Sequence, residues 1–154
     1  KGITLNEGDE VASMSVVSAL TPLVLSVTAN GFGKCTPAAA FPAKSRGTKG
    51  VIAIQTTERN GPVVASLPVA EGDQVMLVTT DGQVIRTRIA DISVVGRNTQ
   101  GVTLFKVEGK TRVYSACVIP AATLGSETEE PSELEAVPAD AAAANASPED
   151  LPHA

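Results

Sequence analysis

Leu23-Val24-Leu25-Ser26-Val27-Thr28-Ala29-Asn30-Gly31 and Gln74-Val75-Met76-Leu77-Val78-Thr79-Thr80-Asp81-Gly82 decide how this chain is read. Each is a short run of Val, Leu and Thr, residues that suit a pleated, half-buried surface. Each stops at Asn-Gly or Asp-Gly, which tolerate the positive φ of a two-residue hairpin turn. The two stretches lie 51 positions apart. Working outward, the same offset pairs Thr36 with Thr87, Arg46 with Arg97, Thr48 with Thr99, Gly50-Val51 with Gly101-Val102 and Ile54 with Phe105. A fixed period near 50 residues is the mark of a propeller or solenoid of equivalent units. Residues 1–17 match the second half of a third unit, with Lys1-Gly2-Ile3 set on Lys49-Gly50-Val51, so the chain reads as starting inside a repeat.

Within a unit, strands are expected at 23–28 and 74–80, with return strands at 32–36 and 84–89. A polar loop leads to third strands at 51–55 and 102–107. Turns at Glu58-Arg59-Asn60-Gly61 and Glu108-Gly109-Lys110 then feed fourth strands at 63–67 and 112–119. Four antiparallel strands per unit is the anatomy of a propeller blade. No window keeps helical apolar spacing beyond two turns. The predicted class is all-β: two blades and part of a third.

Composition divides the chain in two. Hydrophobic residues make up 43% and aromatic ones 3%, so the core must be aliphatic. Residues 1–120 are long enough for one domain. Residues 121–154 are rich in Pro, Ala, Ser and Glu without Lys or Arg, and are expected to be disordered. All 12 basic residues lie at or before Arg112, against nine acids there, which leaves +3. The other eight acids give the tail −8. A basic body on an acidic tail points to a nucleic-acid surface with a mobile competitor, or to a tail that only aids solubility.

Several classes are set aside. No stretch is apolar enough to span a membrane. Cys35 and Cys117 have no His or Cys neighbours, which argues against a metal and for free buried thiols in a reducing cytoplasm. The only histidine, His153, falls in the tail, which removes the commonest general base. Tyr114 reads as a half-buried core ring, and Gly31-Phe32-Gly33 as a hairpin rather than a phosphate cradle. No catalytic residues are assigned.

What remains is the loop before each third strand, Lys44-Ser45-Arg46-Gly47-Thr48-Lys49-Gly50-Val51 and Gly96-Arg97-Asn98-Thr99-Gln100-Gly101-Val102. Arg and Lys pair phosphate oxygens, while Thr, Asn and backbone N–H groups add neutral contacts. Equally, the glycines serve the turn and the polar side chains satisfy loop backbone. Two such loops at one offset, beside Lys34, Arg86 and Arg88, favour binding. The candidate nucleic-acid-contacting set is Lys34, Lys44, Arg46, Lys49, Arg86, Arg88 and Arg97.

At these residues the chain resembles the C-terminal domain of gyrase A, a component of bacterial DNA gyrase, in its last blades and the tail beyond them. The likeness rests on Thr28-Ala29-Asn30-Gly31-Phe32-Gly33-Lys34, on Lys44-Ser45-Arg46 with Thr48-Lys49-Gly50-Val51, and on Thr57-Glu58-Arg59-Asn60-Gly61. Most specific is Arg86-Thr87-Arg88 followed by Ile92-Ser93-Val94-Val95-Gly96-Arg97-Asn98-Thr99-Gln100-Gly101-Val102. The corresponding polypeptide of topoisomerase IV shares the blade type with more degenerate boxes and stands as the alternative. The resemblance implies a six-bladed β-pinwheel whose blades exchange strands and whose basic rim bends duplex DNA. ATP-driven strand passage then introduces negative supercoils. It also implies an assembly of two gyrase A and two gyrase B chains in the cytoplasm, on the chromosome. The catalytic tyrosine, Mg²⁺ site and ATPase of that family lie outside this region, so no cofactor is expected here. The family's Gln-Arg-Arg-Gly-Gly-Lys-Gly box is absent, and residues 45–51 and 96–102 are its degenerate counterparts.

The chemistry agrees. Bending 20–30 base pairs by 40–90° costs roughly 1–6 kcal/mol, which many phosphate contacts must offset. Such binding falls steeply with salt. Few aromatics argue against single-strand stacking platforms. Two rivals stand: a protein-interaction scaffold, whose binding would survive high salt, and an enzyme whose active site is split with another chain, against which the missing acid–base and metal constellations weigh.

Overall fold

In the computed structural model, residues 1–124 are described. Among the described residues seven strands form two antiparallel sheets: β1 (Leu23–Thr28), β2 (Phe32–Pro37), β3 (Val63–Val69), β4 (Gln74–Thr79), β5 (Val84–Arg88), β6 (Val102–Thr103) and β7 (Val113–Ile119). One sheet runs β3-β1-β2-β6 and the other β5-β4-β7. Single 3₁₀ turns follow β2 and β5 at Ala38–Ala40 and Ile89–Asp91. The two Gly-containing hairpins form as expected, with Gly31 at φ 78° and Gly82 at φ 84°.

The units repeat in register as well as in sequence. β1 pairs β3 from Leu23↔Val69 to Thr28↔Val63, with a bulge between Val27 and Thr28. β4 pairs β7 from Gln74↔Ile119 to Thr79↔Val113, with the bulge between Val78 and Thr79. The first strands are 51 positions apart and the fourth strands, Val63 and Val113, only 50. The turn at Glu108-Gly109-Lys110 is thus one residue shorter than its counterpart, and the register absorbs the difference.

The four-stranded sheet is not built from one unit. Its last strand, β6, belongs to the second repeat and pairs with β2 through Phe32↔Thr103 and Gly33↔Val102. Beside it, Cys35 meets Val94 in a parallel bridge. This exchange explains two departures from the pattern expected from sequence. Residues 51–55 form no strand, because among the described residues no second strand of a preceding unit lies beside them. The third strand expected at 102–107 shrinks to two residues, since Leu104 and Phe105 both donate their N–H to the carbonyl of Gly31 and the chain leaves the ladder there.

The N-terminal match shifts by three positions. Thr4 N–H donates to Thr48 O at 3.0 Å, as Gln55 N–H does to Thr99 O at 2.9 Å. Residue 4 therefore corresponds to 55, and the period of 51 reaches the start of the chain. Ile3 and Met14 stand exposed where Ile54 and Ala65, their counterparts, are buried, because no strand of the described chain covers the earlier pair.

The core joins both sheets: Leu25 and Val27 of β1, Cys35 of β2, Val69 of β3, Val75 and Leu77 of β4, Ile89, Ile92 and Val113. Cys35 is buried as expected, and burial pushes its thiol up to about 11. Cys117 is exposed instead, and so is Tyr114 at 74%. Both lie on strand β7, on positions that no other element covers. Residues 121–124, expected in the disordered tail, form a helical turn, α1 (Ala121–Leu124), tied to the body by Ala121 N–H donating to Asp73 Oδ1 at 3.0 Å. The rest of the expected tail lies outside the described residues.

Candidate nucleic-acid interface

Each candidate loop binds the segment one unit back. Residues 96–101 lie against 52–60: Gln55 N–H reaches Thr99 O, Gln55 Nε2 reaches Asn98 Oδ1 at 2.5 Å, and Asn60 Nδ2 bridges Gln55 O and Gln100 O at 2.8 and 3.0 Å. Residues 47–49 lie against the chain's start: Gly47 N–H reaches Gly2 O at 2.9 Å and Lys49 Nζ reaches Asn6 Oδ1 at 2.6 Å. Asn98 and Thr99 are therefore largely engaged between units. That part of the site follows the reading in which polar loop residues satisfy backbone.

The seven basic candidates separate by environment. Lys44 and Arg46 are exposed, with no ion pair or hydrogen bond among the described residues. Lys49 is exposed with one neutral partner. Arg86 lies on the solvent side of β5 and donates from Nε to Gln74 Oε1. Arg88 is held by Asp91 in a bidentate pair, Nε to Oδ2 at 2.9 Å and the NH2 group to Oδ1 at 3.0 Å. Arg97 is half-buried, with its NH1 group on the Ile52 carbonyl at 2.8 Å and its guanidinium 6.0 Å from the Phe41 ring.

Lys34 is the correction. It is fully buried on β2, so it offers nothing to a phosphate directly. Its Nζ donates to Gly96 O at 2.6 Å, Arg97 O at 2.5 Å and Thr99 Oγ1 at 3.0 Å. Burial, reinforced by the Arg97 guanidinium, lowers its pKa from the usual lysine range. Thr36 Oγ1 continues the seam by donating to Val95 O at 2.9 Å. The partners that hold this lysine inside all come from the next unit.

Gly101 shows how close the units come. It sits at φ 78°, and a Cβ there would stand 2.7 Å from the Gly33 carbonyl oxygen. Its counterpart Gly50, at φ 76°, has open space around it apart from Ile3 at 4.0 Å. Arg59, outside the candidate set, stacks its guanidinium 5.0 Å from the Phe32 ring at the neighbouring turn. The signal for it was the adjacency of Arg59 to the turn that meets Asn30, whose Nδ2 donates to Glu58 O and Arg59 O.

The family described as the DNA gyrase C-terminal domain, a beta-propeller, matches residues 1–18, 22–70 and 73–110. The chain belongs to this family. The gyrase A protein of Escherichia coli (strain K12) is 51% identical over 106 residues, covering 69% of this chain and 12% of that protein. Gyrase A from Pseudomonas aeruginosa is 43% identical over 107 residues, covering 70% and 12%. The chain thus spans about an eighth of the relatives it matches. Among solved structures, a DNA gyrase A C-terminal domain superposes with TM-score 0.59 at 25% identity, over 62% of this chain and 33% of that one. A topoisomerase IV C-terminal domain reaches TM-score 0.73 over 83% and 42%, but at 21% identity that is a likeness of fold alone. The gyrase reading is therefore the nearer one, and the strand exchange at β2–β6 is the pinwheel feature it implied. Among the described residues no helix is long and apolar enough to cross a membrane.

Proposed function

We propose that this chain is the last part of the DNA-wrapping domain of a gyrase A protein, bending duplex DNA against a rim that includes Lys44, Arg46, Lys49, Arg86 and Arg97. In the whole enzyme that bend would present a crossed segment for ATP-dependent double-strand passage and so for negative supercoiling. The partners would be duplex DNA, a second gyrase A chain and two gyrase B chains, in the cytoplasm and on the chromosome. Strand cleavage, Mg²⁺ and ATP chemistry would belong to other parts of that assembly.

The observation that carries this reading is the contrast in the first loop, where Lys44 and Arg46 are exposed and unpaired among the described residues. Cations without protein partners, on a loop repeated at a fixed offset, suit phosphate contacts that fix register without reading sequence. Such contacts release counterions, so binding should follow salt with a slope of about −0.9 per phosphate. The eight acids beyond residue 124 would compete for the same rim at low salt. The test is charge reversal of Lys44, Arg46, Lys49 and Arg86 together in full-length gyrase A, in complex with gyrase B. Affinity for duplex should drop for all sequences alike and the salt slope should flatten. An unchanged slope in a folded variant would put the rim elsewhere, and salt-insensitive binding to another protein would favour the scaffold.

A further inference from the structure

We propose that Lys34 is a positioning residue of the DNA-facing surface: from inside one repeat it fixes the 96–99 loop of the next and thereby aims Arg97. The inference rests on the DNA-binding reading above and adds a residue that never touches DNA.

An ammonium has three N–H donors and no acceptor. All three of Lys34's are spent on one loop, on Gly96 O, Arg97 O and Thr99 Oγ1. Such charge-assisted bonds are roughly twice as strong as neutral ones. Among the described residues no carboxylate pairs with Lys34, and the loop's dipoles solvate its charge. The loop must therefore keep two carbonyls and a hydroxyl turned inward for as long as the lysine is charged. Pinning the Arg97 carbonyl fixes the backbone from which the Arg97 side chain leaves the loop. The Ile52 carbonyl takes one N–H and the Phe41 ring flanks the guanidinium, which leaves most of its five donors for a phosphate.

The repeat supplies the control. At the offset of 51, the position of Lys34 is filled in β5 by Ile85, and no loop of a further unit lies on β5 among the described residues. The lysine stands where a loop is held and is missing where none is.

The test uses Lys34→Met, Arg97→Gln and the double variant in full-length gyrase A, in complex with gyrase B. Methionine keeps length and packing but removes the charge, leaving two carbonyls and a hydroxyl of a loop whose Gly96 and Thr99 are exposed to be met by water. The melting temperature should therefore fall only modestly and the domain stay folded. Amide exchange at residues 97–101 should quicken at least tenfold while β1 and β3 stay protected. Affinity for duplex at low salt should fall about two- to fivefold in either single variant, as a single exposed pair allows. The double variant should bind no worse than Arg97→Gln alone. Unchanged loop exchange in Lys34→Met, or additive losses in the double variant, would overturn the assignment. Faster loop exchange with wild-type DNA binding in both single variants would instead sink the DNA role of this loop. Should Lys34→Met fail to fold, Thr99→Val removes one of the three bonds from the acceptor side. It should then move exchange and affinity in the same direction by less, and no change in either would overturn the proposal.

Discussion

β2 and β5 hold the same place in their units and lead opposite lives. Position for position at the offset of 51, Lys34, Cys35 and Pro37 become Ile85, Arg86 and Arg88. Both strands pair with their first strands in matching register. Yet Gly33 to Thr36 are all buried, whereas Val84, Arg86 and Arg88 are exposed. The difference lies outside both strands. Residues 93–95 and β6 of the second unit close over β2, and nothing among the described residues closes over β5. Inside such an array, a strand's burial is supplied by the unit that follows it, and its side chains are matched to whether that unit's loop lies on it.

Exchanging the residues tests that match most severely. Cys35→Arg would bury a guanidinium in the aliphatic core, where none of the described core residues is a carboxylate. An uncompensated buried charge should cost roughly 3–5 kcal/mol. The reverse change, Arg86→Cys, acts on an exposed position and should stay within about 0.5 kcal/mol of the parent. Chemical denaturation of both variants decides it. Equal losses would mean that the neighbouring unit does not set the environment of β2.

A subtler version compares Gly101 with Gly50. Alanine at either position adopts a positive φ at a cost of about 1–2 kcal/mol. Only at Gly101 does the new methyl also run into the Gly33 carbonyl. Crowding of that kind adds typically about 1–3 kcal/mol. Gly101→Ala should therefore lower the melting temperature clearly more than Gly50→Ala. Matching melting temperatures would place β6 further from β2 than it is.

What could be read in the sequence was whatever a unit decides for itself. The Asn-Gly and Asp-Gly turns, the Val- and Leu-rich first strands and the fourth strands are local matters, and their strands formed to within a residue or two of expectation. What a neighbour decides was not legible. Val51 and Ile52 have strand chemistry but no partner strand, so they stay irregular. Lys34 looked like a surface cation because lysine is almost never fully buried unless paired. Its partners are carbonyls 62 and 63 positions away, invisible to any short motif. Tyr114 and Cys117 failed in the opposite sense: apolar-looking positions on β7 turned out to face solvent.

The thiols report the same asymmetry without perturbing it. Cys117 should react with a maleimide in the native protein, and Cys35 only after unfolding, which intact mass after brief labelling would reveal. Because the thiol of Cys35 is pushed up to about 11, the folded state keeps a proton that the unfolded chain gives up near pH ~8.5. Its contribution to stability is whole below that pH and is lost as pH rises toward 11. Cys35→Ala should remove this alkaline loss, seen as flatter denaturation midpoints between pH ~8.5 and 11. Labelling of both thiols at equal rates would contradict the covered β2.

The smallest expected effect concerns Arg88, the one candidate cation that a carboxylate among the described residues already neutralises. Asp91 grips it through two bonds, while Arg46 has no partner among the described residues. An arginine whose fork is filled has to surrender a carboxylate before it can take a phosphate, so its net gain on binding DNA is small. Arg46→Ala should thus flatten the salt slope by about one contact, near ~0.9. Arg88→Ala should barely change it. Asp91→Ala takes the argument the other way, since it frees the guanidinium and removes a negative charge beside it. Duplex affinity should rise slightly at low salt, and the gain should fade near ~0.15 M salt, where screening acts over about 8 Å. If Arg88→Ala flattens the slope as much as Arg46→Ala does, the ion pair gives way on binding and β5 belongs fully to the rim.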